Sequence, residues 1–109
     1  MQAGRLRRRV TIQRKTVTRD SFGAETITWQ EVATVWASVE PLRGREFLES
    51  RRAEAEVTTR ITIRYRAGIT PEMRVVHGDD AYNIVSVIEP ESRLRALVLM
   101  CRRVEEYAG

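Results

Sequence analysis

Residues 58–66, TTRITIRYR, alternate without a break: Ile61, Ile63 and Tyr65 fall on one side, and Arg60, Thr62, Arg64 and Arg66 on the other. Successive side chains of an extended chain point to opposite faces, so a period of two defines a strand with one face in a core and the other in water. The water face is basic enough to want acidic or phosphate neighbours. The isoleucine face needs a core, and further strands must supply it.

Those strands are legible on either side. Residues 9–13, RVTIQ, put Val10 and Ile12 on one face and Arg9, Thr11 and Gln13 on the other. DSFGAE, residues 20–25, holds the Asp, Ser and Gly of a hairpin tip, so the next strand should pair back onto the first. That strand is TITWQEVATVWASVEP, residues 26–41, rich in β-branched and aromatic residues. Ile27 and Trp29 alternate, then Val35, Ala37 and Val39 lie opposite Trp36 and Ser38, and the break at residues 30–33 predicts a bulge or bend. Pro41 ends the unit because it cannot donate to a ladder. AGITPEM turns through Gly68 and Pro71, residues 74–77 form a short strand, and HGDD is a second hairpin turn. Two longer strands, 81–88 and 94–104, divide at EPES. In the last, Leu97, Leu99 and Cys101 share one face and Val98 and Met100 the other, which predicts a central strand apolar on both sides. Trp29, Tyr65 and Tyr82 read as core positions and Trp36 and Phe47 as exposed aromatics, and the tail EEYAG shows no evident structure.

LRGREFLESRRAEAEV, residues 42–57, breaks the pattern. It is full of helix formers, with Arg45/Glu49 and Arg52/Glu56 at i,i+4 spacing. Its bulky apolar residues, Leu42, Phe47, Leu48 and Val57, are too few for a continuous core-facing stripe, so the segment is expected to be a short helix or mobile loop that orders when a partner holds it. The fold expected is mainly β: a small antiparallel β-barrel or sandwich with one long loop carrying a short helix, as one domain over residues 1–109 with a helical or mobile insertion at 42–57.

Composition removes several classes. At 109 residues, 42% hydrophobic and 31% charged, the chain has the make-up of a folded soluble protein. No apolar run approaches the roughly 20 residues that span a bilayer, and the basic start lacks the apolar stretch of a signal peptide, so no membrane contact is expected and the chain should stay where it is made. The single cysteine, Cys101, cannot form an intramolecular disulfide and fits a reducing cytoplasm. Of nineteen cations only Lys15 is lysine. Arginine pairs bidentately with carboxylate and phosphate and suits interfaces.

Catalysis finds little to work with. His77 is the only histidine, so no histidine pair, metal-binding spacing or choice of triad exists. It reads as a turn residue beside GDD, where Asp79 and Asp80 satisfy local backbone donors. Cys101 reads as a small buried hydrophobe. GREFLES and AGITPEM each hold one glycine and cannot aim several amides at a phosphate. No enzyme activity, cofactor or metal is expected.

Taken in order, GRLRRRVTIQR, DSFGAETITWQEVATVWASVEPLRGREF, TTRITIRYRAGITPEMRV, YNIVSV and ESRLRALVLMC resemble the head-tail joining proteins, also called head-completion or stopper proteins, of long-tailed phages, prophages and gene transfer agents. The resemblance implies a small β-barrel with a helix-bearing loop, working as a homo-oligomeric ring, hexamer or dodecamer, in the head-tail connector of a virion assembled in the bacterial cytoplasm. Its implied neighbours are the portal-adaptor on the head side and the tail terminator or tail on the other. It would close the DNA channel after packaging and offer a tail-docking surface, with non-specific contact to packaged DNA. Within that role the candidate gating or docking loop is Arg43, Arg45, Glu46, Phe47, Leu48, Glu49, Arg51 and Arg52, with Glu54 and Glu56 as further pairing acids. Candidate contacts to a neighbouring subunit or the adaptor are Arg5, Arg7, Arg8, Arg64 and Arg66; Arg5, Arg7 and Arg8 form a leader ahead of the first strand. Two other readings fit the same residues: a small barrel binding single-stranded nucleic acid, and a neighbouring connector component such as a tail terminator.

Overall fold

A computed structural model describes residues 6–45, 48, 57–89 and 95–105. Its strands are β1 (Arg8–Arg19), β2 (Glu25–Pro41), β3 (Thr59–Arg64), β4 (Arg74–His77), β5 (Asp80–Ile88) and β6 (Ala96–Arg103). Neighbours pair antiparallel in the order β1-β2-β3-β6-β5-β4, and β4 pairs back onto β1 to close the barrel. The mainly antiparallel β class expected from the periodicity is the one found.

Closure changes the meaning of one expectation. No strand of a ring is more central than another, so the two-sided apolar pattern of β6 has a different origin: Leu97, Leu99 and Cys101 line the interior, while Val98 and Met100 are half-buried on the outside. Around the interior stand Val10 and Ile12 of β1, Ala37 of β2, Ile61 and Ile63 of β3, Val75 of β4, and Tyr82 and Ile84 of β5. Each buried isoleucine or leucine contributes roughly 1.5–3 kcal/mol, so this alternating set is the main source of cohesion. Tyr65 follows the end of β3 and packs half-buried against the cluster. The link from β3 to β4 joins strands that are not neighbours in the ring, and it buries Ile69 in the cluster. Gly68, at φ 87°, makes the turn into it.

The predicted bulge is Val32. Ile12 pairs with Ala33 and Gln13 with Glu31, so one residue of β2 is left without an opposite number. Beyond that point the parity of β2 inverts: Val35 and Ala33 share the inward row of Val10 and Ile12, whereas Glu31, Trp29 and Ile27 join the outward row of Gln13, Lys15 and Val17. Trp29 is therefore not a core residue as its alternation suggested. It is half-buried outside the cluster, with the Arg74 guanidinium 4.0 Å above its ring.

These two settings predict opposite outcomes for one chemistry. Ile61→Ala, at a fully buried site, should cost about 2–5 kcal/mol in a urea melt. Ile27→Ala, at a site 52% exposed, should cost about 0.5 kcal/mol or less.

Candidate docking surfaces

The 42–57 excursion leaves and rejoins the barrel at one point. The Leu42 N–H donates to the Thr58 carbonyl at 2.9 Å, and the Thr58 N–H to the Cys101 carbonyl at 2.9 Å. Leu42 and Val57 are both buried, so the two ends of the predicted insertion belong to the folded body. Gly44 takes φ 57°, and Gly44, Arg45 and Leu48 are helical. Arg43 and Arg45 are exposed and Leu48 is 58% exposed, an apolar side chain presented to water. Glu46, Phe47, Glu49, Arg51, Arg52, Glu54 and Glu56 lie outside the described residues, as do Arg5 and most of the EPES and EEYAG segments.

Of the other candidate contacts, Arg7, Arg8, Arg64 and Arg66 are exposed. Arg8 is not part of a leader: it is the first residue of β1 and pairs with Ala37. Leu6 in front of it is buried and pins the approach. Ala37 pairs on its other side with Ile63, so Arg64 comes next to the row of Trp36. Trp36 is 52% exposed, and the Arg9 guanidinium lies 5.0 Å from the centre of its ring. An exposed cation–π contact is worth about 0.5–1 kcal/mol and ties the indole to the neighbouring strand β1. Tryptophan and arginine are also the residues most enriched where binding energy concentrates in protein interfaces. Arg66 sits past the end of β3, which stops two residues before the periodicity suggested.

A third surface was not anticipated. β1 and β2 pair over their whole length, from Arg8 with Ala37 to Arg19 with Glu25. β4 meets β1 only at Thr11, Ile12 and Gln13, and β3 meets β2 only from Ala37 to Pro41. The distal part of the hairpin is thus a two-stranded arm standing off the barrel. Its tip is built as the sequence implied: the Asp20 carboxylate accepts from the Phe22 and Ala24 N–H groups at 2.8 and 2.9 Å, and Gly23 takes φ 83°. One face of the arm is polar, with Thr16 opposite Thr28, Thr18 opposite Thr26, and Arg14 donating to Gln30 at 2.9 Å. The other carries Val17 opposite Ile27 and Lys15 opposite Trp29. Val17 is 49% exposed, and Phe22 at the tip is 95% exposed. The signal in the sequence was length: the hairpin outruns every strand that could flank it.

Asp80, read as a turn residue, accepts from Arg103 at 2.7 Å. Burial raises the Tyr82 hydroxyl, with the Asp80 charge adding to it. Burial pushes the Cys101 thiol up to about 12, and its Sγ donates to the Leu99 carbonyl at 3.4 Å. Among the described residues no three His, Cys, Asp or Glu side chains gather where a metal could bind, and no described helix is long and apolar enough to cross a membrane.

What the described surface offers is contact: a tryptophan set among arginines, a hairpin with an apolar face, and an excursion tied at its neck. Residues 1–105 match the phage head completion protein family, and the chain belongs to that family. It is 32% identical over 92 residues to head completion protein gp7 of Enterobacteria phage HK97, spanning 83% of this chain and 82% of that protein. The solution structure of protein SF1141 from Shigella flexneri 2a superposes with a TM-score of 0.78 at 35% identity, covering 97% of this chain and 99% of that one. A chain in the virion of a native gene transfer agent particle shares the fold, with a TM-score of 0.63 at 23% identity over 95% of this chain and 98% of the other.

The buried thiol gives a solution test. Cys101 should not react with a thiol reagent at pH 8 in the native protein and should react at once in denaturant. Because the folded thiol titrates higher than the ordinary 9.0, its contribution to stability is complete below pH 9 and is lost as the pH rises towards 12. Cys101→Ala should show a shallower alkaline loss of stability across that window in parallel urea melts.

Proposed function

We propose that this protein is a structural component of the phage head-tail connector, without enzymatic activity. In the finer form of the reading it forms a homo-oligomeric ring, hexamer or dodecamer, beneath the portal-adaptor, closes the DNA channel after packaging and presents the surface on which the tail docks. The observation that carries it is the extent of the family match, which runs through the barrel, the hairpin arm and the neck of the excursion together. The arrangement of surfaces supports it as well. A closed barrel has used up the edges of its own ring, which leaves its contacts to Trp36 with Arg9 and Arg64, to the arm, and in this reading to the 44–56 excursion.

In this reading Arg5, Arg7, Arg8, Arg64 and Arg66 meet carboxylates of the adaptor or of a neighbouring subunit, with passing DNA as a secondary partner. Each exposed pair is worth about 0–1 kcal/mol, so their contribution is to register and choice of partner more than to affinity. The excursion, with Arg43, Arg45, Glu46, Phe47, Leu48, Glu49, Arg51 and Arg52, supplies the gating or docking contacts. Its ends are fixed at Leu42 and Val57, so it can be re-sited by a partner without opening the core.

Electron microscopy of particles made without this protein tests the proposal. DNA-filled or leaking heads without tails are expected, restored to tailed particles when the gene is supplied in trans. Tailed, DNA-retaining particles in its absence would overturn it.

A further inference from the structure

β1 beyond Gln13 and β2 before Ala37 have, among the described residues, no second strand on their outer sides. Each therefore presents a row of backbone N–H and C=O groups to solvent, and such an edge is a template for another strand. No proline interrupts residues 14–36, and the one irregularity, Val32, sits at the base of the arm. A two-stranded ribbon alone is marginal in water, so this arm gains most of its order from a further strand.

The charges on the two strands say which strand. β1 carries Arg8, Arg9, Arg14, Lys15 and Arg19 and no acid; β2 carries Glu25, Glu31 and Glu40 and no lysine or arginine. Joining two copies edge to edge through β1 twice, or through β2 twice, sets like charges together, which is destabilising across a ladder. Joining β2 of one copy to β1 of the next sets acid against base. Direction agrees: a rotation about a ring axis leaves all arms pointing the same way. β1 and β2 run opposite ways within each arm, so β2 of one arm meets β1 of the next antiparallel. A groove of ≈ 970 Å³ also runs along the apolar face of the arm, between Val17, Ile27 and Trp29 and Pro71, Met73 and Val85 of the barrel, so this face is open to a neighbour as well.

We propose that the arms of neighbouring copies pair head to tail, β2 of one copy against β1 of the next, into a continuous sheet. The partner is a second copy of this chain, and the inference rests on the ring reading above. Contacts of this heterologous kind repeat from copy to copy and form a ring where the rotation closes, whereas a like-edge contact pairs two copies about a two-fold axis. The joined sheet carries the threonine pairs on one face and Val17, Ile27 and Trp29 on the other.

The test uses full-length chains on a Cys101→Ala background, with Thr16→Cys in one set of copies and Thr28→Cys in another. Both are co-assembled into particles and oxidised to form disulfides, which bridge directly adjacent strands but not equivalent positions of successive arms about 10 Å apart. Cross-linked dimers are expected from the mixture and not from particles holding either variant alone. Dimers from a single variant would mean like-edge pairing and overturn the proposal. Protein present in tailed particles but never cross-linked would overturn the arm pairing and leave the ring standing, while its absence from such particles would overturn both. A charge swap gives an independent reading. Arg14→Glu with Lys15→Glu, or Glu25→Lys with Glu31→Lys, should each lower incorporation by at least about tenfold, and all four together should restore it. Unchanged incorporation in the two partial variants would count against the proposal.

Discussion

Three residue pairs hold this architecture closed: Thr11 with Val76, Ile12 with Val75 and Gln13 with Arg74. They turn a six-stranded sheet into a ring and remove the edges that β4 and the first half of β1 would otherwise present. The last pair is reinforced by side chains, since Arg74 donates through Nε to the Gln13 amide oxygen at 2.7 Å and lies over Trp29. Closure stops where the Val32 bulge sits, opposite the step from Ile12 to Gln13. One level of the structure thus ends the barrel, inverts the parity of β2 and releases the remainder of the hairpin as an arm.

The division of labour follows from that level. Inside the ring, alternation buries an unbroken set of aliphatic side chains, and each strand has two neighbours. Outside it, the hairpin has the hydrogen bonds of one ladder, a turn tied by Asp20, and an exposed Arg19–Glu25 pair at 2.9 Å that adds little in water. At the other end of β2 the chain leaves and re-enters between Leu42 and Val57, both buried, with Leu48 between them exposed. A head completion protein has contacts to make beyond its own fold, and a closed barrel with an arm standing off it leaves surface for them.

Much of this could be read from residue order. The alternation of β3 and β6, the Asp20 and Gly78 turns, the short β4 and the bulge near Val32 each depend on neighbours in sequence, and each was legible. What a period of two does not contain is which face is inside. Ile27, Trp29, Val35 and Ala37 share odd numbers, and only the extra residue at Val32 sends the first pair outward. A barrel was among the folds expected, but which strands would close it was hidden for a related reason: β1 and β4 are brought together by the stagger of the whole ring. The arm depended on a comparison of lengths between strands whose pairing was not yet known. Trp36 was recognised as exposed, but its setting with Arg9 and Arg64 needed the register of β1, β2 and β3.

The central claim is that the barrel is complete in the isolated chain while the arm waits for a partner. Residue-resolved amide hydrogen exchange, on the purified protein and on the same protein in assembled particles, addresses it most directly. Free in solution, β3 and β6 should be strongly protected and residues 14–31 should exchange far faster; in particles the arm should slow to the level of the barrel, with the barrel unchanged. An arm as protected as β3 and β6 in the free chain, or one that exchanges equally fast in the particle, would contradict the account.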